Sequence, residues 1–169
     1  MELTPCRLRD ILHYDPDMGV FTWRERSDAP ANWNARWASK MAGTISVFGY
    51  RVISINGRIY RAGRLAWLYM TGEWPENDVD HIDGNRGNDK WVNLRCASRC
   101  ENQRNRGTQS NNKCGLKGVS WHKHMERWRS TIRVSGKCIH LTYSDCPAAA
   151  YFAYIIAADK YFGDFARSA

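Results

Sequence analysis

No apolar run in this 169-residue chain approaches the roughly 18 residues that would cross a bilayer. The opening MELTPCRLRDIL also lacks the basic and apolar zones of a secretory leader, so a cytoplasmic protein without membrane contact is expected. Paired Cys-x-x-Cys spacings are missing as well. Of the six cysteines, Cys96 and Cys100 stand closest in sequence, spaced Cys-x-x-x-Cys with no second pair. Structural zinc is therefore not expected, and reduced thiols are the default. Acidic residues run short toward the end: Lys113, Lys117, Lys123, Arg127, Arg129, Arg133 and Lys137 face the single acid Glu126.

What is present suits a folded protein with a polyanionic partner. Hydrophobic residues make up 43% of the chain, with eight Trp and eight Tyr, enough to fill a core. Lys and Arg outnumber Asp and Glu by 25 to 17, a net charge of +8. Residues 111–169 hold nine of those bases against four acids. A basic surface of that kind suits a phosphate backbone, or is simply a solvated face.

The patterning divides the chain into three parts. A helix near Pro5 to His13 opens the first, followed by a turn at DPDMG and a strand at VFTW. Residues 27–44 lack periodicity and read as a loop. GYRVISINGRIYR is a hairpin about Asn56-Gly57, a type I′ signal. The helix in AGRLAWLYMTG is closed by Gly72, with Leu65, Trp67, Leu68 and Met70 as core. In the second part, VDHI and VNLRC are short strands around the polar loop DGNRGND, and Ser98 with Glu101 forms a capping box that starts a helix bearing Asn102. Residues 109–114 read as a linker. The third part offers three strands in KGVSWHKH, RWRSTIRV and KCIHLTY, then a helix from Asp145 or Cys146 to Gly163. Strict alternation places Val119, Trp121, Trp128, Ser130, Ile132, Ile139, Leu141 and Tyr143 on one sheet face. Ser120, His122, Arg129, Thr131, Arg133 and His140 fall on the other.

The second part concentrates chemistry in VDHIDGNRGNDKWVNLRCASRCENQRN. Hydrolysing a phosphodiester needs a base for water and a cation to offset charge on the phosphate and the leaving oxygen. Mg²⁺ keeps several waters and accepts one carboxylate and one amide oxygen as protein ligands, roles that Asp80 and Asn102 fit. His81 is the one histidine of the segment, and imidazole titrates near neutrality, which suits a general base. Asn93 on the facing strand is placed to fix the tautomer and tilt of that imidazole. Asn105, one turn beyond Asn102, supports the site from behind, and Arg95, Arg104 and Arg106 are candidate phosphate contacts. Asp83, Asn85, Asn88 and Asp89 lack the twelve-residue calcium pattern and are assigned to loop backbone groups. His13 and His124 carry no role.

The order Asp-His, Asp-Gly-Asn, Asn-Leu-Arg and a helix with Asn-x-x-Asn resembles the HNH endonucleases, above all the phage homing-type subgroup whose last ligand is Asn. The resemblance implies a ββα-metal finger over residues 79–106, with Asp80 and Asn102 as ligands of one divalent ion, Mg²⁺ with Mn²⁺ as substitute. It also implies His81 as base and Asn93 as the central Asn. The preceding YRAGRLAWLYMTGEWP is similar to the same proteins, except that Gly63 stands where His is implied. KGVSWHKHMERWRSTIRV and the Ala-rich helix ending in YFG resemble a second family, the DNA-binding domain of plant APETALA and ethylene-response factors, whose implied mode is a three-stranded sheet in the major groove. Ser120 and His122 replace the Arg-rich first strand of the plant proteins, so their base preference does not transfer.

The expectation is an α+β chain. Residues 1–108 form an HNH nuclease domain, in which a β-hairpin and helix precede the ββα-metal core, and residues 115–169 form a sheet packed on one helix. It would cut double-stranded DNA, as a monomer or weak homodimer in the cytoplasm of a phage's bacterial host, without a small-molecule cofactor. Lys117, Ser120, His122, Arg129, Thr131, Arg133 and His140 are the candidate DNA contacts. A DNA-binding regulator with an inactive core, or a non-specific defence nuclease, are the alternatives.

Overall fold

The computed structural model describes residues 3–105, 107–108 and 112–166. Helix and strand are mixed throughout, as an α+β chain requires. Two compact units divide the chain, residues 1–98 and 99–169.

In the first unit, helix α1 (Pro5–Ile11) starts where Thr4 Oγ1 accepts the Arg7 amide and Pro5 occupies the first turn. It stops before His13, because Leu12 turns extended and opens strand β1 (Leu12–Asp15), which pairs antiparallel with β2 (Val20–Trp23). Residues 27–44 are not the unbroken loop expected: helix α2 spans Ala31–Trp37. None of its residues is buried, so it shows no core periodicity in the sequence. Side contacts hold it instead. Trp33 meets the edge of Trp23 at 5.4 Å and lies under Arg26, and Asn34 bonds both backbone groups of Arg26.

Strands β3 (Thr44–Ile45), β4 (Arg51–Ile55) and β5 (Arg58–Arg61) form the second sheet, in that order. Asn56 and Gly57 turn β4 into β5 with φ of 50° and 76°. Helix α3 (Ala62–Thr71) follows and is capped by left-handed Gly72. Its Leu65 and Leu68 are buried with Leu8, Ile11, Leu12, Tyr14, Phe21 and Ile53, each such burial stabilising by about 2 kcal/mol. Two core assignments change: Met70 is exposed and Trp67 only partly buried. Strands β6 (Asp78–His81) and β7 (Leu94–Ala97) then pair antiparallel.

The second unit begins with helix α4 (Arg99–Arg104), directly after Ser98. The division thus falls before this helix, not at the expected linker. The Arg104 carbonyl accepts Lys117 Nζ at 2.6 Å, and its guanidinium lies 4.9 Å from the Phe162 ring, contacts that tie α4 to this unit. Residues 109–111 of the expected linker lie outside the described residues. Strands β8 (Val119–His122), β9 (Arg127–Val134) and β10 (Lys137–Ser144) make an antiparallel sheet with β9 central, and helix α5 (Pro147–Phe162) covers one face. Gly118 sits at φ 75° where a Cβ would strike the Tyr154 ring, so glycine permits the approach of helix to sheet.

The alternation expected of β10 breaks. A bulge between His140 and Thr142 shifts the register, pairing Thr142 with Ser130 and Tyr143 with Arg129. Tyr143 therefore moves from the expected apolar face to the basic one.

Candidate active site

Asp80 and His81 are the last two residues of β6, and both are buried. As neighbours on a strand they take up different partners. Asp80 Oδ2 accepts both Arg95 Nε at 3.0 Å and Arg95 Nη2 at 2.9 Å from β7. That pairing makes Arg95 the counter-charge of Asp80.

His81 Nε2 lies 3.1 Å from Asp89 Oδ1. Asp89 is 3% exposed, and its other oxygen, Oδ2, has no hydrogen-bond partner among the described residues. A buried carboxylate with an orphaned oxygen is costly, so the rest of the unit must hold it in place. Tyr14 Oη donates to the Asp89 carbonyl at 2.6 Å, and the Trp91 amide donates to the Pro16 carbonyl at 2.9 Å. Gly19, at φ 69°, lies so close to Asp89 and Lys90 that a Cβ would overlap their backbone. The turn between β1 and β2 is thus a brace for Asp89. Burial pushes the Tyr14 hydroxyl far above its ordinary range, with the charges of Asp89 and Asp15 adding to it, so it stays a donor.

Gly63 belongs to the same cluster. A Cβ there would stand 3.1 Å from Asp89 Oδ1, against Leu94 and Val79. The position where the resemblance implies His is therefore in touch with the carboxylate that holds His81.

Asn93 does something other than expected. It ends a 3-10 turn (Trp91–Asn93) before β7, and its amide serves the loop, not the imidazole. Oδ1 accepts the Asp83 amide at 3.0 Å, while Nδ2 donates to Asp83 Oδ1 at 3.0 Å and to the Asn88 carbonyl at 2.8 Å. Its carbonyl takes the Ile82 amide at 2.9 Å. Asp83 in turn accepts from the Asn85 amide and from Asn88 Nδ2. Burial pushes the Asp83 carboxyl up, but the bonds from Asn88, Asn85 and Asn93, with His81 nearby, bring it below its ordinary value. Asp83, Asn85 and Asn88 thus tie the loop, as expected. Asp89 belongs to the same polar stretch, and nothing in its spacing distinguishes it; its pairing with His81 appears only once the loop closes.

Residues 60–104 match the family model described as HNH endonuclease. The chain is 43% identical to Protein 3.8 of Escherichia phage T7 over 84 residues, which cover 47% of this chain and 69% of that protein. The chain belongs to the HNH endonuclease family. No solved structure matches it. HNH nucleases act on DNA and use a divalent metal ion, and the HNH match here runs from β5 through α4. Among the described residues no three His, Cys, Asp or Glu side chains cluster as a ready cage. The donor set still fits a hard ion in an HNH nuclease, which accepts a single carboxylate when water and phosphate supply the rest. Asp80 is such a carboxylate, buried beside His81.

Asn102 and Asn105 lie in the second unit, Asn102 half-buried in α4 and Asn105 buried just after it. Arg104 is turned onto Phe162, and Arg106 lies outside the described residues. Lys117 precedes β8 and directs its ammonium at the Arg104 carbonyl, off the sheet face. The remaining candidates do share a face: Ser120 and His122 pair with Arg129 and Arg127, and Thr131 with His140, leaving Arg133 beside Cys138. Tyr143 joins them, 4.4 Å from the His140 ring and 5.3 Å from His122. Arg129 Nε is buried there without a hydrogen-bond partner among the described residues. The His122 ring is oriented by Nδ1, which accepts the Met125 amide. No helix among the described residues is long and apolar enough to cross a membrane.

Proposed function

We propose that the chain is a metal-dependent endonuclease of the homing type that cuts double-stranded DNA at few places. The observation that carries the reading is the buried bond between His81 Nε2 and Asp89 Oδ1. A carboxylate acceptor at Nε2 favours the tautomer with its proton there and leaves the basic lone pair on Nδ1. His81 then takes the proton of the attacking water at Nδ1, and Asp89 steadies the imidazolium that forms. Asp80 is the carboxylate that would hold Mg²⁺ or Mn²⁺; when bound, the ion stabilises charge on the phosphate and on the departing 3′ oxygen. Arg95 balances the Asp80 charge otherwise. The assignment of Asn102 as the amide ligand rests on the resemblance alone. Asn93 keeps a positioning role, exerted through the loop it ties. Products would carry a 5′ phosphate and a 3′ hydroxyl.

The sheet of the second unit, similar in pattern to the APETALA and ethylene-response domain, is the proposed DNA-binding surface. Arg129, on the central strand opposite Ser120 and Tyr143, is its central phosphate contact. His122, Arg133 and His140 flank it. His81→Ala should abolish nicking of plasmid DNA in Mg²⁺ or Mn²⁺ while leaving DNA affinity within about twofold, since the base touches water and not the duplex. Undiminished cleavage by that variant refutes the assignment. Absence of cleavage by the unaltered chain under any metal, alongside tight binding, would instead identify a regulator.

A further inference from the structure

The first unit exposes an apolar tip that its fold takes care to hold rigid. Val47 is 96% exposed and Phe48 71%, side by side in the turn between β3 and β4. Large apolar side chains left in water on a fixed support mark an interaction site. The support is well defined. The Ser46 amide donates to the Tyr50 carbonyl at 2.8 Å, and the Gly49 amide to the Ser46 carbonyl at 2.9 Å. Arg86, from the loop that carries Asp83 and Asp89, donates through Nη1 to the Phe48 carbonyl at 3.0 Å. The Tyr50 ring packs against the Arg61 and Arg86 guanidiniums, 4.4 and 5.1 Å from its centroid, and lies 6.1 Å from the His81 ring.

Charge identifies the partner. Between Asp28 and Glu73 the sequence holds no acidic residue and six cations, Arg36, Lys40, Arg51, Arg58, Arg61 and Arg64. This acid-free span contains the whole second sheet, with Ile59 exposed on β5. Apolar side chains flanked by arginines, as Arg86 and Arg61 flank this turn, are what proteins insert into a DNA minor groove to unstack a base step and kink the duplex. We propose that Val47 and Phe48 are a wedge that enters duplex DNA within a few base steps of the scissile phosphate. Two residues span at most about 7 Å, so with the Tyr50 to His81 ring spacing of 6.1 Å the wedge acts within about four base steps of His81, at roughly 3.4 Å per step. The kink would open the backbone where His81 works, which rests on the nuclease reading; the insertion itself does not.

The test uses the full-length His81→Ala chain and 40-bp duplexes selected from a random pool for binding to it, with 2-aminopurine walked through the bound site. Fluorescence should rise at one step and lose that rise with Val47→Ser and Phe48→Ser together, both exposed positions whose replacement spares the core. In the chain with His81 intact, the same pair should slow cleavage of intact duplex by tenfold or more, roughly the cost of an unassisted unstacking, yet cut a duplex mismatched at that step within about twofold of the unaltered chain. Full unstacking by the doubly substituted chain overturns the wedge. So does a loss confined to binding of anionic phosphatidylglycerol vesicles, which would make the tip a membrane contact, or to self-association in sedimentation. Unstacking by a chain that cuts nothing would uphold the wedge and overturn only the nuclease reading.

Discussion

The two units hold their polar side chains in opposite ways. In the first, the chemical groups are bonded to one another: His81 to Asp89, Asp80 to Arg95, and Asn93 to Asp83 and the Asn88 carbonyl. Most are buried, and each has its geometry set before any substrate arrives. In the second, Arg129 Nε has no acceptor among the described residues, and the Tyr143 ring packs against those of His122 and His140 on the basic face. Preorganisation serves a reacting atom, whose position must be right in advance. Side chains gathered on a sheet face without fixed partners serve recognition, because their bonds are completed by the ligand.

Asp89→Leu would break the first half of that contrast. The substitution removes an orphaned buried oxygen but also the acceptor of His81 Nε2, so thermal stability should change by less than about 2 kcal/mol, while the single-turnover cleavage rate at saturating DNA falls by about a hundredfold, the usual scale for losing the group that orients a catalytic imidazole. Asp89→Asn keeps an acceptor near Nε2 but not the charge that steadies the imidazolium, so it should recover the tautomer and little of the rate. Long-range nitrogen-15 correlation spectra would show the His81 proton leaving Nε2 in the leucine variant alone; an unchanged tautomer and rate would remove Asp89 from the mechanism.

Replacing Arg129 and Arg133 together by Ala addresses the other half. Affinity for duplex should fall roughly thirtyfold at 0.15 M salt, and the slope of log K against log salt should flatten by about 2, close to one unit per lost phosphate contact. The rate at saturating DNA should stay unchanged. A rate loss with the affinity kept would erase the division of labour between the units.

What could be read from the sequence follows what is local. Asn56-Gly57, Gly72, Ser98 and Gly163 mark turns or helix ends that depend on a few adjacent residues, and the structure has them there. The Asp80-His81 pair is legible for the same reason. Long-range facts are not. Asp89 meets His81 only after the loop closes against the β1–β2 turn, and Asn93 faces that loop because it ends a 3-10 turn just before β7, where the strand expected of VNLRC would have included it. One inserted residue at Leu141 was enough to carry Tyr143 to the other side of its sheet. Averaging hid the acid-free span: residues 1–76 hold ten bases and eight acids, but all eight acids lie at or before Asp28 or at Glu73 and Glu76.

The smallest expected effect separates the two units by stability. Both bury a tyrosine at the core, yet the Tyr14 hydroxyl is bonded to the Asp89 carbonyl and raised beyond the alkaline range, while Tyr154 is pushed up to about 12, first by burial and then by Tyr151. Each is neutral when folded, so its contribution is intact below an unfolded value of 10 and is lost as pH rises through the folded one. For Tyr154 that window opens near 10 and closes near 12. At pH 11 the loss amounts to about 1.4 kcal/mol, one unit of the shift. Tyr154→Phe keeps the ring beneath Gly118 and removes the ionisation, so it should gain roughly that much relative stability at pH 11 and nothing from this term at pH 8. Urea titrations followed by far-ultraviolet dichroism at the two pH values measure the difference. An equal gain at both would trace the effect to packing, and leave Tyr154 no more pH-sensitive than the core around Tyr14.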